Sequence, residues 1–393
     1  MVRAPFALIT LTAVTGLGFA ACSSEDEAGG AGGSAGSKPG VVNPKCGESG
    51  AAPCRLPPEP PASGTTPPDT TPPTLIAISQ LYLGDTDRQG NPNKDAWRQF
   101  GYNLDGIIST ENGTNHCKLA EGANPAAVKP DGDGGIDNAF GLSLVPLVNA
   151  VASGQAGVGI NQSIDRGEFT VMIRLQNLGD SATTPNQTGI KAAIIGGAPF
   201  GAGLECGDGG STLANCLPPK FDGTDVWPLA RDTLLNADPA NPKVKFDDGF
   251  VVGGTWVSGR GSGLELTIVL NTVTVTLPIV SAYVAVELTG TQAGAKGMNG
   301  TIAGVVNTER LVEEIRRVAG NVAPTLCGGA TFDSLAKQIR GASDIMSDGT
   351  NGDPTKTCDA ISIGLGFDAS AVLEGAVAPE APKPPDPCAD ASR

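Results

Sequence analysis

Apolar and polar residues alternate with a period of two over several short segments of the chain. In 169–175 the odd positions are apolar, whereas Thr170 and Arg174 point to the opposite face. The apolar parity changes at 271–272, which indicates a tight turn or a bulge between two strands. Further strands are predicted at 191–195, 249–257, 264–270, 273–277, 282–288, 300–306 and 361–367.

Many β-branched strands separated by glycine-rich turns predict a mainly β fold, an antiparallel β-sandwich of the jelly-roll kind. Segments with a period near 3.6 predict two to three helices packed on this sheet. Asn307 or Thr308 can cap the second helix, and Gly320 can end it. The predicted helices are 142–152, 308–319 and 332–346.

The first 21 residues resemble a bacterial lipoprotein signal peptide. A short charged start precedes an apolar stretch at 4–19, which is too short to span a bilayer comfortably. Small residues stand directly before Cys22, as in a lipobox, so we expect cleavage before Cys22 and a lipid on its thiol. The alternative is an ordinary signal peptide followed by a chance cysteine.

The rest of the chain divides by composition into three parts. Residues 22–73 are rich in Gly, Ser and Pro, a composition that cannot bury a core and predicts a disordered tether. Residues 74–378 carry the strand and helix patterns and form the predicted folded domain. Residues 379–393 are rich in proline and are predicted to be a C-terminal tail.

The chain is acidic, with 26 Lys and Arg against 41 Asp and Glu, and its formal net charge is −15 at pH 7. This charge repels phosphate backbones, so we expect no nucleic-acid partner. His116 is the only histidine, which excludes a site built from several histidines. Cys117 follows it directly, but neighbours in sequence usually point apart, so the pair does not predict a catalytic dyad.

The nine cysteines agree with export to an oxidising compartment. If Cys22 carries a lipid, eight remain, and an even number in an exported chain predicts disulfides. Sequence alone does not determine their connectivity. Proximity favours Cys46–Cys54, Cys206–Cys216 and Cys327–Cys358, which leaves Cys117 and Cys388 as a long-range bridge or two free thiols.

The strongest candidate site is an acidic, glycine-rich loop with Asp131, Asp133 and Asp137. Alternating carboxylates on a backbone that can curl suit a hard cation such as calcium, and the spacing resembles thrombospondin type 3 and dockerin-like loops. The alternative is a solvated turn in which Asp137 or Asn138 caps a helix. A second polar loop, 348–354, can hold an ion or ligand or be a long turn.

Other motifs carry less chemistry. Ser334 and Lys337 match the S-x-x-K pattern of serine β-lactamases, but the partner motifs are absent, so a helix-start serine with a solvated lysine is the better interpretation. Trp256 lies in a predicted strand and is expected in the core. Trp227 lies in a predicted loop and is expected at the surface, where it could bind a ligand.

Several stretches together resemble a family of uncharacterised lipoproteins from myxobacteria. The resemblance covers most of 96–369 and implies a lipid-anchored protein of the bacterial cell envelope, at the outer membrane, with no activity attached. The stretches are 97–106, 135–138, 220–228, 301–304 and 358–367.

These observations predict a non-enzymatic binding or structural module, supported by calcium and attached to the membrane through a lipid. A glycan or an envelope protein is the expected kind of partner. Two alternatives remain open: a surface hydrolase that acts on polysaccharide or lipid through paired carboxylates, and an envelope assembly factor.

Overall fold

The computed structural model describes residues 41–388 except for 70, 121–127, 153–154, 202–217, 260–261, 271–272, 323 and 381–385. This part of the chain is mainly sheet, as predicted, and carries four α-helices. The strands are β1 (Thr74–Tyr82), β2 (Thr170–Gln176), β3 (Gln187–Gly197), β4 (Val226–Leu229), β5 (Val244–Val252), β6 (Thr255–Val257), β7 (Ser262–Leu270), β8 (Val273–Thr289), β9 (Lys296–Asn307), β10 (Ala360–Ala371) and β11 (Leu373–Val377). The helices are α1 (Val145–Ala152), α2 (Ala156–Asp165), α3 (Thr308–Val322) and α4 (Gly329–Arg340).

The eleven strands form one sandwich-like sheet in the order β11-β4-β3-β2-β1-β10-β9-β8-β6-β5. Strand β3 also pairs with β5, so the sheet closes on itself, and β7 pairs with β8 outside this path. Every pair of named strands is antiparallel except β11 with β4. The main core therefore lies between opposite parts of the sheet, where Ile76, Ile173, Val284 and Phe367 are almost fully buried.

Two strand predictions need correction. The segment 249–257 is not one strand, because Gly253 and Gly254 both have positive φ and turn the chain from β5 into β6. The segments 273–277 and 282–288 are not separate strands, because β8 runs through both. Its register shifts next to Ser281, which has a φ of 50°, and this bulge carries the strand across what the pattern suggests is a gap.

The sequence pattern also missed β1, β4, β11 and α2. Strand β1 lies between β2 and β10 and is buried on both faces, so it shows no alternation of apolar and polar residues. Helix α2 buries Ile160 and Ile164, but two glycines in its first turn weaken the helical signal. Its Gly157 amide donates to the Asp85 carboxylate (3.1 Å), which caps the helix from a distant segment.

Helix α3 starts as predicted, since the Asn307 side chain accepts a hydrogen bond from the Arg310 amide (3.1 Å). It does not end at Gly320 but continues to Val322. A Cβ on residue 320 would collide with the sulfur of Cys388, so this glycine makes room for a disulfide. Helix α4 ends at Arg340, earlier than the predicted 346, and the chain then turns toward Asp344.

Three disulfides lie within the described part of the chain. The predicted Cys46–Cys54 bridge is confirmed. The predicted Cys327–Cys358 pairing is wrong, although both cysteines are bonded. Cys358 pairs with Cys117 across 241 residues, and Cys327 pairs with Cys388. The fold brings these distant segments together, and spacing along the chain could not reveal it. Cys22, Cys206 and Cys216 lie outside the described residues.

Candidate functional site

Three aspartates, Asp131, Asp137 and Asp344, line one cavity, and Asp105 lies close to them; we call these four residues, which come from three separate segments, the aspartate cluster. Asp137 is buried and the other three are partly buried. The cavity has a volume of about 10 Å³, which is room for one particle the size of a water molecule. Its wall is formed by Ser109, His116, Leu119, Val128, Lys129, Asp131, Asp137, Asp344, Asn351 and Cys358.

Backbone amides hold the two carboxylates of the 131–137 loop. The Asp131 carboxylate accepts a hydrogen bond from the Ser109 amide (2.6 Å), and that of Asp137 accepts one from the Leu104 amide (2.6 Å). The loop can turn this sharply because Gly134 and Gly135 both have positive φ. A Cβ at Gly135 would collide with the Asn103 side chain, so the loop packs closely on the segment that carries Asp105.

The other two carboxylates come from two other segments of the chain. Asp344 follows α4, and its carboxylate accepts hydrogen bonds from the amide (2.8 Å) and hydroxyl (2.6 Å) of Ser362 on β10. Asp105 accepts a bond from the Ile107 amide (2.7 Å) with one oxygen, while its other oxygen is buried without a partner. Asn351 stands between them and accepts a bond from the Cys117 amide (2.6 Å).

Burial and mutual repulsion raise the pKa of every member of the cluster. Burial is the main cause for Asp131, whose pKa rises to about 9, and the charges of Asp105 and Asp344 add to it. Burial likewise raises the pKa of Asp344 to about 7 and that of Asp137 well above its usual range. Burial lowers the pKa of Lys129, which faces Asp344. One lysine cannot neutralise four carboxylates, so the cluster favours uptake of protons or of a cation.

Carboxylate, hydroxyl and amide oxygens are the ligands that hard divalent cations prefer. Ser109 lines the cavity and is only 7% exposed, and its buried hydroxyl has no hydrogen-bond partner. Across the described residues, no three His, Cys, Asp or Glu side chains are arranged to ligate a metal ion. Cation binding would therefore require the carboxylates that line the cavity to move closer to one another.

His116 also lines the cavity. Its Nδ1 lies 2.7 Å from the Cys117 carbonyl oxygen, and a carbonyl only accepts, so Nδ1 carries the proton of that bond. Nε2 of the neutral ring then keeps a free lone pair. The cavity has no space for a sugar ring or an acyl chain beside this nitrogen.

The structure brings together only part of the predicted calcium site. Asp131 and Asp137 face the cavity, but the exposed Asp133 carboxylate pairs with Arg98 (3.1 Å). Asp105 and Ser109 were missed, because nothing in the sequence around them indicates a shared site with residues more than twenty positions away. Asp344 lies just before the second polar loop, which contributes Asn351 to the cavity wall.

The expectation for Trp227 is wrong. Its side chain is fully buried on β4 and packs against Phe200 and Phe221, with ring centroids 5.1 and 5.5 Å away. Its indole nitrogen donates to the Ala198 carbonyl (2.8 Å), which satisfies the one polar group of the ring. Trp256 is fully buried, as predicted. Trp227 therefore belongs to the core and offers no surface for a ligand.

Comparisons with protein-family models, curated proteins and solved structures found no match to this chain. Among the helices that the structure describes, none is long and apolar enough to cross a bilayer.

Proposed function

We propose that this chain is a non-enzymatic binding or structural module of the bacterial envelope, and that a divalent cation in the aspartate cluster, calcium in the first instance, supports its fold. One observation carries the cation: three aspartates line a small cavity with Asp105 close by, and the lining residue Ser109 has a buried hydroxyl without a partner. A calcium ion would neutralise charge that Lys129 alone leaves uncompensated.

The size of the cavity favours an ion over an organic substrate. A volume of about 10 Å³ accepts one water-sized particle, whereas ligand pockets for organic molecules are typically about 300–1,000 Å³. This argues against the alternative of a polysaccharide or lipid hydrolase at this site, even though His116 stands in the wall. The cation would then act on stability and on the shape of the surrounding loops.

Export and lipid attachment are inferred from the sequence. A signal-like start, a small-residue motif before Cys22 and the resemblance to myxobacterial lipoproteins support a lipid-anchored envelope protein. The three disulfides agree with this, because disulfides persist in oxidising compartments and are rare in the cytosol.

The test is thermal unfolding of the oxidised mature chain with millimolar calcium, with magnesium and with chelator. A micromolar Kd should give about 4 kcal/mol of stabilisation at a thousand-fold excess of calcium, and hence a rise in Tm of several degrees. Asp344→Asn should abolish the rise. Asp348→Asn, an exposed aspartate in the neighbouring loop, is the matched control and should keep it. Equal Tm values in calcium and chelator would refute the proposal.

A further inference from the structure

Residues 41–55, which we call the strap, lie against two of the three segments that carry the aspartate cluster: the segment around Asp105 and the 131–137 loop. Although they belong to the predicted tether, their backbone pairs with the segment around Asp105. The Val41 amide donates to the Asn112 carbonyl (3.0 Å), and the Cys46 amide donates to the Gly106 carbonyl (2.9 Å). The Ile108 amide in turn donates to the Pro44 carbonyl (2.9 Å). The strap therefore forms an outer layer over this wall of the site.

Asn43 fixes the strap through its side chain, which is 1% exposed. Its side-chain oxygen accepts hydrogen bonds from the amide (3.0 Å) and the hydroxyl (2.9 Å) of Thr110, next to the unpartnered Ser109. Its backbone exchanges two further bonds with the Asn115 side chain, at 2.6 and 3.1 Å. A Cβ at Gly113 would collide with the Asn43 amide, so the loop is shaped to receive this residue.

The other end of the strap connects the two acidic segments. The Arg55 amide donates to the Gly134 carbonyl (2.8 Å) in the 131–137 loop, and the Arg55 carbonyl accepts from the Asn103 amide (2.8 Å) near Asp105. The Cys46–Cys54 bridge closes the strap into a small loop behind these contacts. Any movement of one acidic loop relative to the other must strain or release these two bonds.

We infer that the strap is a latch operated by the cation. This rests on the proposed function, because the cation would hold the Asp105–Ser109 segment, through Ser109, against the 131–137 loop. A cation that fixes both loops stabilises the docked strap, and a docked strap must raise cation affinity by the same factor, since the coupling is reciprocal. The two backbone hydrogen bonds of Arg55 connect the strap to both segments and would transmit both effects.

Hydrogen exchange of the oxidised mature chain tests the latch. Amides of 41–55 should exchange at least about tenfold more slowly in millimolar calcium than in chelator. In Asp344→Asn the two conditions should give equal rates. Amides of β10 at the centre of the sheet report global unfolding, so they distinguish protection of the strap from overall stabilisation. If calcium raises Tm but leaves exchange in 41–55 unchanged, the latch is refuted and the cation site stands. If calcium changes neither quantity, both proposals fail.

A second variant separates coupling from simple loss of structure. Asn43→Ala removes the buried anchor of the strap and should weaken calcium binding to the folded chain by about fivefold or more, within the usual range of coupling between sites. Glu48→Gln, an exposed change inside the Cys46–Cys54 loop, should leave calcium affinity unchanged. A lower Tm for Asn43→Ala with an unaltered calcium Kd, measured by titration below the transition, would overturn the latch.

Discussion

Two acidic, glycine-containing loops lie near the same cavity, but the pKa values of their carboxylates shift in opposite directions. In 131–137, Asp131 and Asp137 face the cavity, and burial raises the pKa of both. In 348–354, the carboxylate of Asp348 accepts hydrogen bonds from the amide (2.9 Å) and hydroxyl (2.5 Å) of Thr350, two residues away. Those bonds lower the pKa of Asp348, and the corresponding bonds from Thr355 lower that of Asp353.

The difference shows that the surroundings of an acidic loop, more than its composition, decide its role. The second loop satisfies its carboxylates locally, as Asp-x-Thr turns do in solvent. The first loop places them beside Asp105 and Asp344, where a local turn would have been less costly. The proposed cation would offset this cost. Four experiments can break or sharpen this contrast.

The largest effect is expected from the disulfide in the cavity wall. Chain-entropy arguments give about 5 kcal/mol for a bridge that closes 241 residues, such as Cys117–Cys358, and about 2.5 kcal/mol for one that closes 8, such as Cys46–Cys54. In denaturant titrations, Cys117→Ser with Cys358→Ser should therefore destabilise the chain more than Cys46→Ser with Cys54→Ser does. The first double variant should also lose the calcium response. Equal losses for the two double variants would mean that the wall does not depend on its bridge.

The next effect concerns pH in the presence of chelator. A carboxyl whose pKa is raised in the folded state binds a proton more tightly there than in the unfolded chain, whose value is near 3.8. The free energy of unfolding should thus fall as pH rises from about 4 to about 7 through Asp344, and on to about 9 through Asp131. We expect a total change on the order of a few kcal/mol.

Denaturant midpoints at pH 5, 7 and 9 measure this dependence. Asp131→Asn should flatten it, because the amide has no proton to lose. Asp348→Asn is the control and should keep the pH dependence, because the lowered pKa of Asp348 leaves this carboxylate ionised at all three pH values. If stability in chelator is independent of pH between 5 and 9, the cluster does not carry the repulsion inferred here.

A pair of glycines compares the two loops directly. Gly135 and Gly349 have similar φ values, 74° and 80°, so an alanine at either position carries a similar backbone strain of about 1 kcal/mol. Around Gly349 no atom lies within 4 Å of an added Cβ, whereas at Gly135 that Cβ would collide with Asn103. Gly135→Ala should therefore cost about 1–3 kcal/mol more and weaken calcium binding, while Gly349→Ala should not affect calcium. Equal costs in thermal unfolding would show that the first loop is as open as the second.

Sequence patterns predicted the sheet well where buried and more exposed residues alternate along a strand, as in β7. They failed for β1, which is buried on both faces, and for α2, whose end is capped by the distant Asp85. For the site, they found Asp131 and Asp137, which are close together in the chain. Asp344 arrives through contacts with β10, which Asn138 holds by accepting from the Gly364 amide 226 residues away (3.0 Å). No local pattern records such a contact.

The smallest effect is expected from Asp133, and it decides whether the spacing of the loop or its geometry identifies the calcium ligands. If the spacing of the 131–137 loop defines the calcium site, Asp133 is a ligand, and Asp133→Asn should abolish the response to calcium. The geometry instead pairs this carboxylate with Arg98 at the surface, where both side chains are about half exposed. Removal of such a pair costs at most about 1 kcal/mol and less at high salt. We therefore expect Asp133→Asn to keep the calcium-induced rise in Tm and to match Arg98→Ala in stability. Loss of the calcium response would return Asp133 to the ligand set and would mean that the loop rearranges when the ion binds.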